Sequence, residues 1–158
     1  MRNRFLSLLT VFLFVFLAQE SKAQYRNALG LGIDLGDGRT LVGPQLKHFF
    51  NSKDAANVQV LFADNHVLLG ADYSYNQAIS GARGLNWYIG VGPQLSFIDR
   101  GPFGNKTYFA IRPALGLEYK VPSAPLAFHF DWKPWWTLTD ESDFEPSRFS
   151  IGFKYTFN

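Results

Sequence analysis

The sequence predicts an all-β protein, a closed eight-stranded antiparallel transmembrane up-and-down β-barrel. Three observations lead there. Apolar and polar side chains alternate with a period of two almost everywhere from Tyr25 onward. The alternating runs average about 11 residues, the length of a tilted strand crossing a bilayer. One face of nearly every run carries Leu, Ile, Val, Phe, Trp or Tyr, and the other carries Gly, Ala, Ser, Gln and charges. So many large aromatics overfill one small interior, so the apolar face is expected outside against lipid and the polar face inside. A soluble ligand-binding barrel would have the opposite sidedness and is the competing architecture.

Composition agrees. Of 158 residues, 47% are apolar and only 18% charged, which argues against disorder. The absence of cysteine excludes a disulfide scaffold, thiolate zinc sites and a thiol nucleophile. A net charge of +2 gives no electrostatic footprint for nucleic acid.

The elements follow in order. Arg2 and Arg4, the apolar run Phe5 to Ala18 and the small-x-small site Ser21-Lys22-Ala23 read as a signal peptide over 1–23. The run is too short to span a bilayer as a helix. Residues 24–158 are then the barrel. Losing Arg2, Arg4, Lys22 and Glu20 leaves 12 basic and 12 acidic residues. Leu29, Leu31, Ile33 and Leu35 define the first strand, and Asp37-Gly38 turns into a second from Thr40 to Phe50. Val58, Val60 and Phe62 mark the third. Asp64-Asn65 turns into the fourth, Val67 to Tyr75. The fifth runs Leu85 to Phe97, the sixth Phe109 to Tyr119, and Pro122 and Pro125 turn into the seventh, Leu126 to Trp132. An acidic loop is expected from Thr139 to Ser147, then the eighth strand, Phe149 to Phe157. Aromatics near strand ends (Phe49-Phe50, Tyr73, Tyr75, Trp87-Tyr88, Tyr108-Phe109, Trp135-Trp136, Tyr155, Phe157) suggest interfacial girdles.

Parity places Asp34, Asp72, Glu118 and Asp131 inside, with Lys47, Arg112, Lys133 and Lys154. Four charges of each sign in a narrow, desolvating lumen are expected to pair and plug it. An eight-stranded barrel has no open bore. His129 lies inward beside Asp131, as a lumen hydrogen-bonder. Pro44, Pro93, Pro113 and Pro134 fall inside strands and face outward by parity; each removes a ladder donor, so bulges or locally opened ladders are expected. Two of them share a context, Val42-Gly43-Pro44-Gln45-Leu46 and Val91-Gly92-Pro93-Gln94-Leu95.

The last strand, Ser150-Ile151-Gly152-Phe153-Lys154-Tyr155-Thr156-Phe157, resembles the terminal signal of bacterial outer-membrane barrels. Ser150, Gly152, Tyr155 and Phe157 occupy its constrained positions, and Asn158 departs from it by following the aromatic. The resemblance implies recognition by the outer-membrane barrel assembly machinery. Gly84-Leu85-Asn86-Trp87-Tyr88-Ile89-Gly90-Val91-Gly92, Gly116-Leu117-Glu118-Tyr119-Lys120 and Asp131-Trp132-Lys133-Pro134 are similar to a family of small outer-membrane β-barrel proteins of Bacteroidetes. With the terminal strand, this covers about the last half of the chain. It implies an architecture like the OmpX and OmpA transmembrane barrels, an outer-membrane location and no particular chemistry.

The expected function is a non-enzymatic integral outer-membrane barrel, acting in envelope integrity or surface interaction. The expected partners are outer-membrane lipid and lipopolysaccharide, with the barrel a monomer. No catalytic residue, cofactor or metal is expected, because no Gly-rich phosphate loop, zinc-ligand spacing or nucleophile elbow is present. The acidic stretch Asp140-Glu141-Ser142-Asp143 with Glu145 reads as a solvated loop, and the functional alternative is that it collects divalent cations shared with lipopolysaccharide. The enzymatic alternative is a lipid A-modifying enzyme, with His66 on the rim beside Asp64 and Ser74 or Ser96, and with Pro113 and Pro134 opening a lateral lipid path as in lipid A palmitoyltransferases. The catalytic residues of those enzymes do not map onto this chain.

Overall fold

The computed structural model describes residues 25–36, 38–139 and 142–158. The expected signal peptide lies outside them. Ten strand segments are present among the described residues: β1 (Asn27–Gly36), β2 (Arg39–Phe49), β3 (Asp54–Ala63), β4 (His66–Ala78), β5 (Leu85–Asp99), β6 (Asn105–Lys120), β7 (Leu126–Trp132), β8 (Trp135–Thr137), β9 (Asp143–Glu145) and β10 (Arg148–Phe157). They form eight barrel strands, because β7 and β8 are one strand interrupted at Lys133-Pro134, and β9 and β10 another interrupted at Pro146-Ser147. The acidic loop is therefore shorter than expected, since Asp143–Glu145 continues the hairpin.

Every neighbouring pair is antiparallel, and β1 closes on β10 from Asn27↔Phe157 to Gly36↔Arg148. Closure leaves the barrel strands no free edge along their paired length, which the strongly apolar exterior requires. The turns follow local chemistry. Asn65 takes the left-handed conformation (φ 55°) between β3 and β4, and Gly38 (φ 84°) does so between β1 and β2. Tyr25 and Asn158, the first and last described residues, lie at one end, here the terminal end, with the loops at 50–53, 79–84 and 121–125. The distal end carries the turns at 64–65 and 100–104 and the β8–β9 hairpin.

Three prolines each open the ladder on one side only. Pro44 keeps register with Leu31 of β1, whereas β2–β3 pairing stops at Val42↔Phe62 and resumes at Gln45↔Gln59. Pro93 keeps register with Ile111 of β6, whereas β4–β5 pairing skips from Gly70↔Gln94 to Tyr73↔Val91. Pro113 pairs with Val91, and the ladder to the seventh strand breaks between Leu115↔Trp132 and Ile111↔Trp136. The missing N–H is the cause in each case. The repeated Gly-Pro context has a further reason: a Cβ on Gly43 would strike Val60 O and Leu61 Cα, and one on Gly92 would strike Ala71 O and Asp72 Cα. Only glycine lets the opened strands approach that closely.

The outer surface is apolar around the whole circumference, with Leu31, Val42, Phe62, Leu69, Ile89, Leu117, Phe130 and Phe153 all exposed. The interior is mostly polar; its apolar parts include a small cluster of Leu41, Leu61 and Leu68 near the distal end and one of Tyr25, Ala28 and Ala127 near the terminal end. Four expected girdle aromatics instead face inward, Phe49 against the Tyr25–Ala28–Ala127 cluster and Tyr108 into the distal lumen, besides Tyr88 and Trp135. Tyr88 is buried and Trp135 packs on the leucine cluster, because both share parity with the lumen residues of their strands.

Candidate functional site

The lumen residues arrive in three layers, each set by strand parity. At the terminal end Glu118 is the centre. It accepts hydrogen bonds from Tyr25 (2.5 Å), Lys47 (3.0 Å) and Lys154 (3.1 Å). Lys47 also donates to Asn76 Oδ1 (2.8 Å), and Lys154 lies 3.2 Å from His129 Nδ1. In the middle layer Tyr88 donates to Asp131, and Lys133 pairs with Asp72. A cavity of about 20 Å³ beside them has room for one water. In the distal layer Asp34 sits between two guanidinium groups, with Arg112 at 2.6 Å and Arg148 donating from Nε at 2.9 Å. Gln94 Oε1 accepts from Arg112 (2.8 Å).

All nine expected lumen residues are buried: Asp34, Lys47, Asp72, Arg112, Glu118, His129, Asp131, Lys133 and Lys154. Arg148 and Glu118 are each only 1% exposed. Buried ions are costly unless paired and hydrogen-bonded, and here each carboxylate has at least one donor. The pairing differs in balance from the four-against-four expectation, because Arg148 adds a fifth cation. Parity with Ser150 and Gly152 points to it, but its place beside the expected loop hid it. Tyr25, Tyr88 and Gln94 also join the network; Tyr88 read as a girdle residue in sequence, and only the register shows the two tyrosine hydroxyls reaching carboxylates.

Arg112 has a second task. Its Nη2 donates to Lys133 O (2.5 Å), a carbonyl at the broken ladder. The gap between the sixth and seventh strands places Pro113 directly opposite Pro134 in register, and Arg112 closes it from within. Pro134 departs from expectation: it lies in the break between β7 and β8 and is buried, whereas Pro44 and Pro93 face outward and exposed. Pro113 is half-buried. The Arg112 guanidinium lies on the lumen side of this gap, bonded to the Lys133 carbonyl.

His66 is a correction too. It was expected as a polar rim residue, but as the first residue of β4 it faces inward and is buried, with its ring edge-on to Trp135 at 6.1 Å. Neither ring nitrogen has a hydrogen-bond partner among the described residues, so it forms no base–nucleophile pair with Ser74 or Ser96. His129 lies 3.4 Å from Ser150 Oγ. Of the terminal-strand positions, Ser150 points inward while Tyr155 and Phe157 are exposed on the outer face. A Cβ on Gly152 would meet the Leu31 carbonyl as well as Gln45 and His129, so glycine there makes room for both the neighbouring strand and lumen side chains.

A closed antiparallel barrel of eight strands, apolar outside and ion-paired within, is the architecture of outer-membrane barrel domains. Among solved structures the chain is similar to the N-terminal β-barrel domain of Pseudomonas aeruginosa OprF. The TM-score is 0.67 at 14% sequence identity, covering 85% of this chain and all of that domain. The likeness is one of fold. No model of a known protein family matches the chain, and no curated protein matches it.

Proposed function

We propose that the protein is a non-enzymatic integral barrel of the bacterial outer membrane, with a side-chain-plugged lumen and a role in envelope integrity or surface interaction. One observation carries this reading: large apolar side chains are exposed on every side while nine ions are buried within. That distribution is stable in lipid and unstable in water. The likeness to the OprF barrel domain supports the same location. The terminal end, with Tyr25 and Asn158, then faces the periplasm. Lipid and lipopolysaccharide surround the outer face as a monomeric barrel, and the assembly machinery reads Ser150, Gly152, Tyr155 and Phe157 after signal-peptide removal. Membership of the small Bacteroidetes barrel family belongs to the same proposal and rests on the internal motifs.

Two measurements test it. Cysteine labels at Leu117 and Phe153 are quenched by brominated lipid, whereas labels at Ser150 and Thr156 are not. The inner-face labels sit at Ser150 and Thr156 rather than at a glycine such as Gly116, where a Cβ would meet Asp131 and Tyr88. The reverse pattern would overturn the membrane assignment. In planar bilayers the barrel shows no large steady conductance; a steady open level would overturn the plug.

A further inference from the structure

The two ends of the barrel differ in charge. At the terminal end every loop carries one cation: Lys53 in the loop at 50–53, Arg83 in that at 79–84, and Lys120 at the entry to that at 121–125. Arg26 adds a fourth just before β1. Arg26, Lys53 and Arg83 are exposed, and Lys120 is half-buried. Among the described residues none of the four has a carboxylate partner. Lys120 Nζ donates to the carbonyl oxygens of Val121 (2.9 Å) and Ala124 (2.7 Å), which leaves its charge uncompensated. Outside the lumen, Asp54 is the one acidic side chain at this end among the described residues. It is taken by the Tyr73 hydroxyl (2.5 Å) and the Asn51 amide (2.6 Å). The distal end has no such bias, since Arg39 and Arg100 stand there with Asp64, Asp99 and Asp143.

The register ties each of these cations to an aromatic of the outer face. Arg26 is one residue from Asn27, which is level with Phe157, and Lys53 is one from Asp54, which is level with Tyr75. Lys120 follows Tyr119, and Arg83 is two residues from Leu85, which is level with Tyr119. At about 3.3 Å per residue, none lies more than about 7 Å along its strand from that belt. Lys53 Nζ stands 5.7 Å from the Tyr75 ring, which packs on Trp87 at 6.1 Å. Belts of tyrosine and tryptophan mark the headgroup level of a bilayer. The cations therefore fall at the phosphate plane, within a Debye length of about 8 Å. Two of them are also neighbours. The Lys120 N–H donates to Gly84 O (2.7 Å), which brings Arg83 next to Lys120 across the β5–β6 ladder. Like charges so placed repel until an anion joins them.

We propose that this ring binds the phosphate of anionic glycerophospholipids, of which phosphatidylglycerol is the probe, in the leaflet around the terminal end. Arg83 and Lys120 form its strongest seat. The guanidinium bonds two phosphate oxygens and the ammonium adds a point charge. Phosphatidylcholine is less favoured, because its choline brings a second cation to the same plane. The proposal rests on the membrane reading above and deepens it by naming the lipid class.

The test uses the folded barrel in phosphatidylcholine bilayers with a small, equal mole fraction of brominated phosphatidylglycerol or brominated phosphatidylcholine. A fluorescent cysteine label at Leu117, exposed on the outer face two residues before Tyr119, reports the terminal end. A label at Phe62, exposed near the turn at 64–65, reports the distal end. One cation beside an anionic surface is worth roughly fivefold in binding. At Leu117, phosphatidylglycerol is expected to quench as if at least fivefold more concentrated than phosphatidylcholine, and molar salt is expected to remove the difference. At Phe62 the two lipids are expected to quench alike. Arg83→Gln with Lys120→Gln is expected to abolish the preference at Leu117, whereas Arg83→Lys keeps it. Arg39→Gln with Arg100→Gln leaves it unchanged. Equal quenching by the two lipids at Leu117 overturns the proposal. So does a preference that survives Arg83→Gln with Lys120→Gln, or one equally strong at Phe62. Failure of brominated phosphatidylcholine to quench Leu117 at all overturns the membrane reading and this proposal with it; loss of the phosphatidylglycerol preference alone overturns only this proposal.

Discussion

Replacing Glu118 by Gln is the most direct probe of the plug. The carboxylate is buried and serves three donors, Tyr25, Lys47 and Lys154. Glutamine keeps the shape and one acceptor but leaves two ammonium groups buried without a counter-ion. Removing one partner of a buried pair costs about 3–5 kcal/mol. Lys47 retains Asn76 and Lys154 retains His129, so the expected loss stays in that range rather than doubling. It corresponds to roughly two to four orders of magnitude in the unfolding equilibrium. Urea unfolding in lipid vesicles reads this directly, because the chain has four tryptophans and Trp132 and Trp136 lie exposed on the outer face. Adding Lys47→Met and Lys154→Met to Glu118→Gln removes the stranded charges, and the triple variant is expected to return to within about 1 kcal/mol of the original or exceed it. A Glu118→Gln loss below about 1 kcal/mol would refute the reasoning, since it would mean water already solvates these lysines and the lumen is not a dry plug.

The other predictions concern the opened ladders and the buried histidine. Arg112→Lys loses the fork that spans Asp34, Gln94 and Lys133 O, and is expected to lower stability by about 1.5–3 kcal/mol in the same urea assay. Gly92→Val drives a side chain into Ala71 O and Asp72 Cα, so it is expected to block folding into vesicles, scored by the loss of the compact band in unheated gel samples; Ala78→Val, outside the opened ladder, folds normally. His66→Phe keeps the packing against Trp135 and removes two unpartnered nitrogens, so its urea midpoint is expected to stay level or rise. A His66→Phe midpoint well below the original would reveal a polar partner for the ring.

The alternation in the sequence determined the strands, their sidedness and the inward set of charges, because a period of two is a local property of the chain. It placed Asp34, Glu118 and Lys154 inside without any knowledge of their partners. It also marked where ladders would open, since a proline lacks its donor wherever it sits. Partners are another matter. That Glu118 gathers Tyr25 and Lys154 depends on closing β1 onto β10, which brings residues 93 and 36 positions away onto one carboxylate. That Pro113 meets Pro134, and that Arg112 covers the resulting carbonyl, depends on the register between two strands. Trp135 and His66 looked like rim residues because their neighbours are polar or aromatic, yet each shares the parity of inward residues, Trp135 with Lys133 and His66 with Leu68 and Asp72. Local periodicity tells which way a side chain points, and only the closed sheet decides what it meets there.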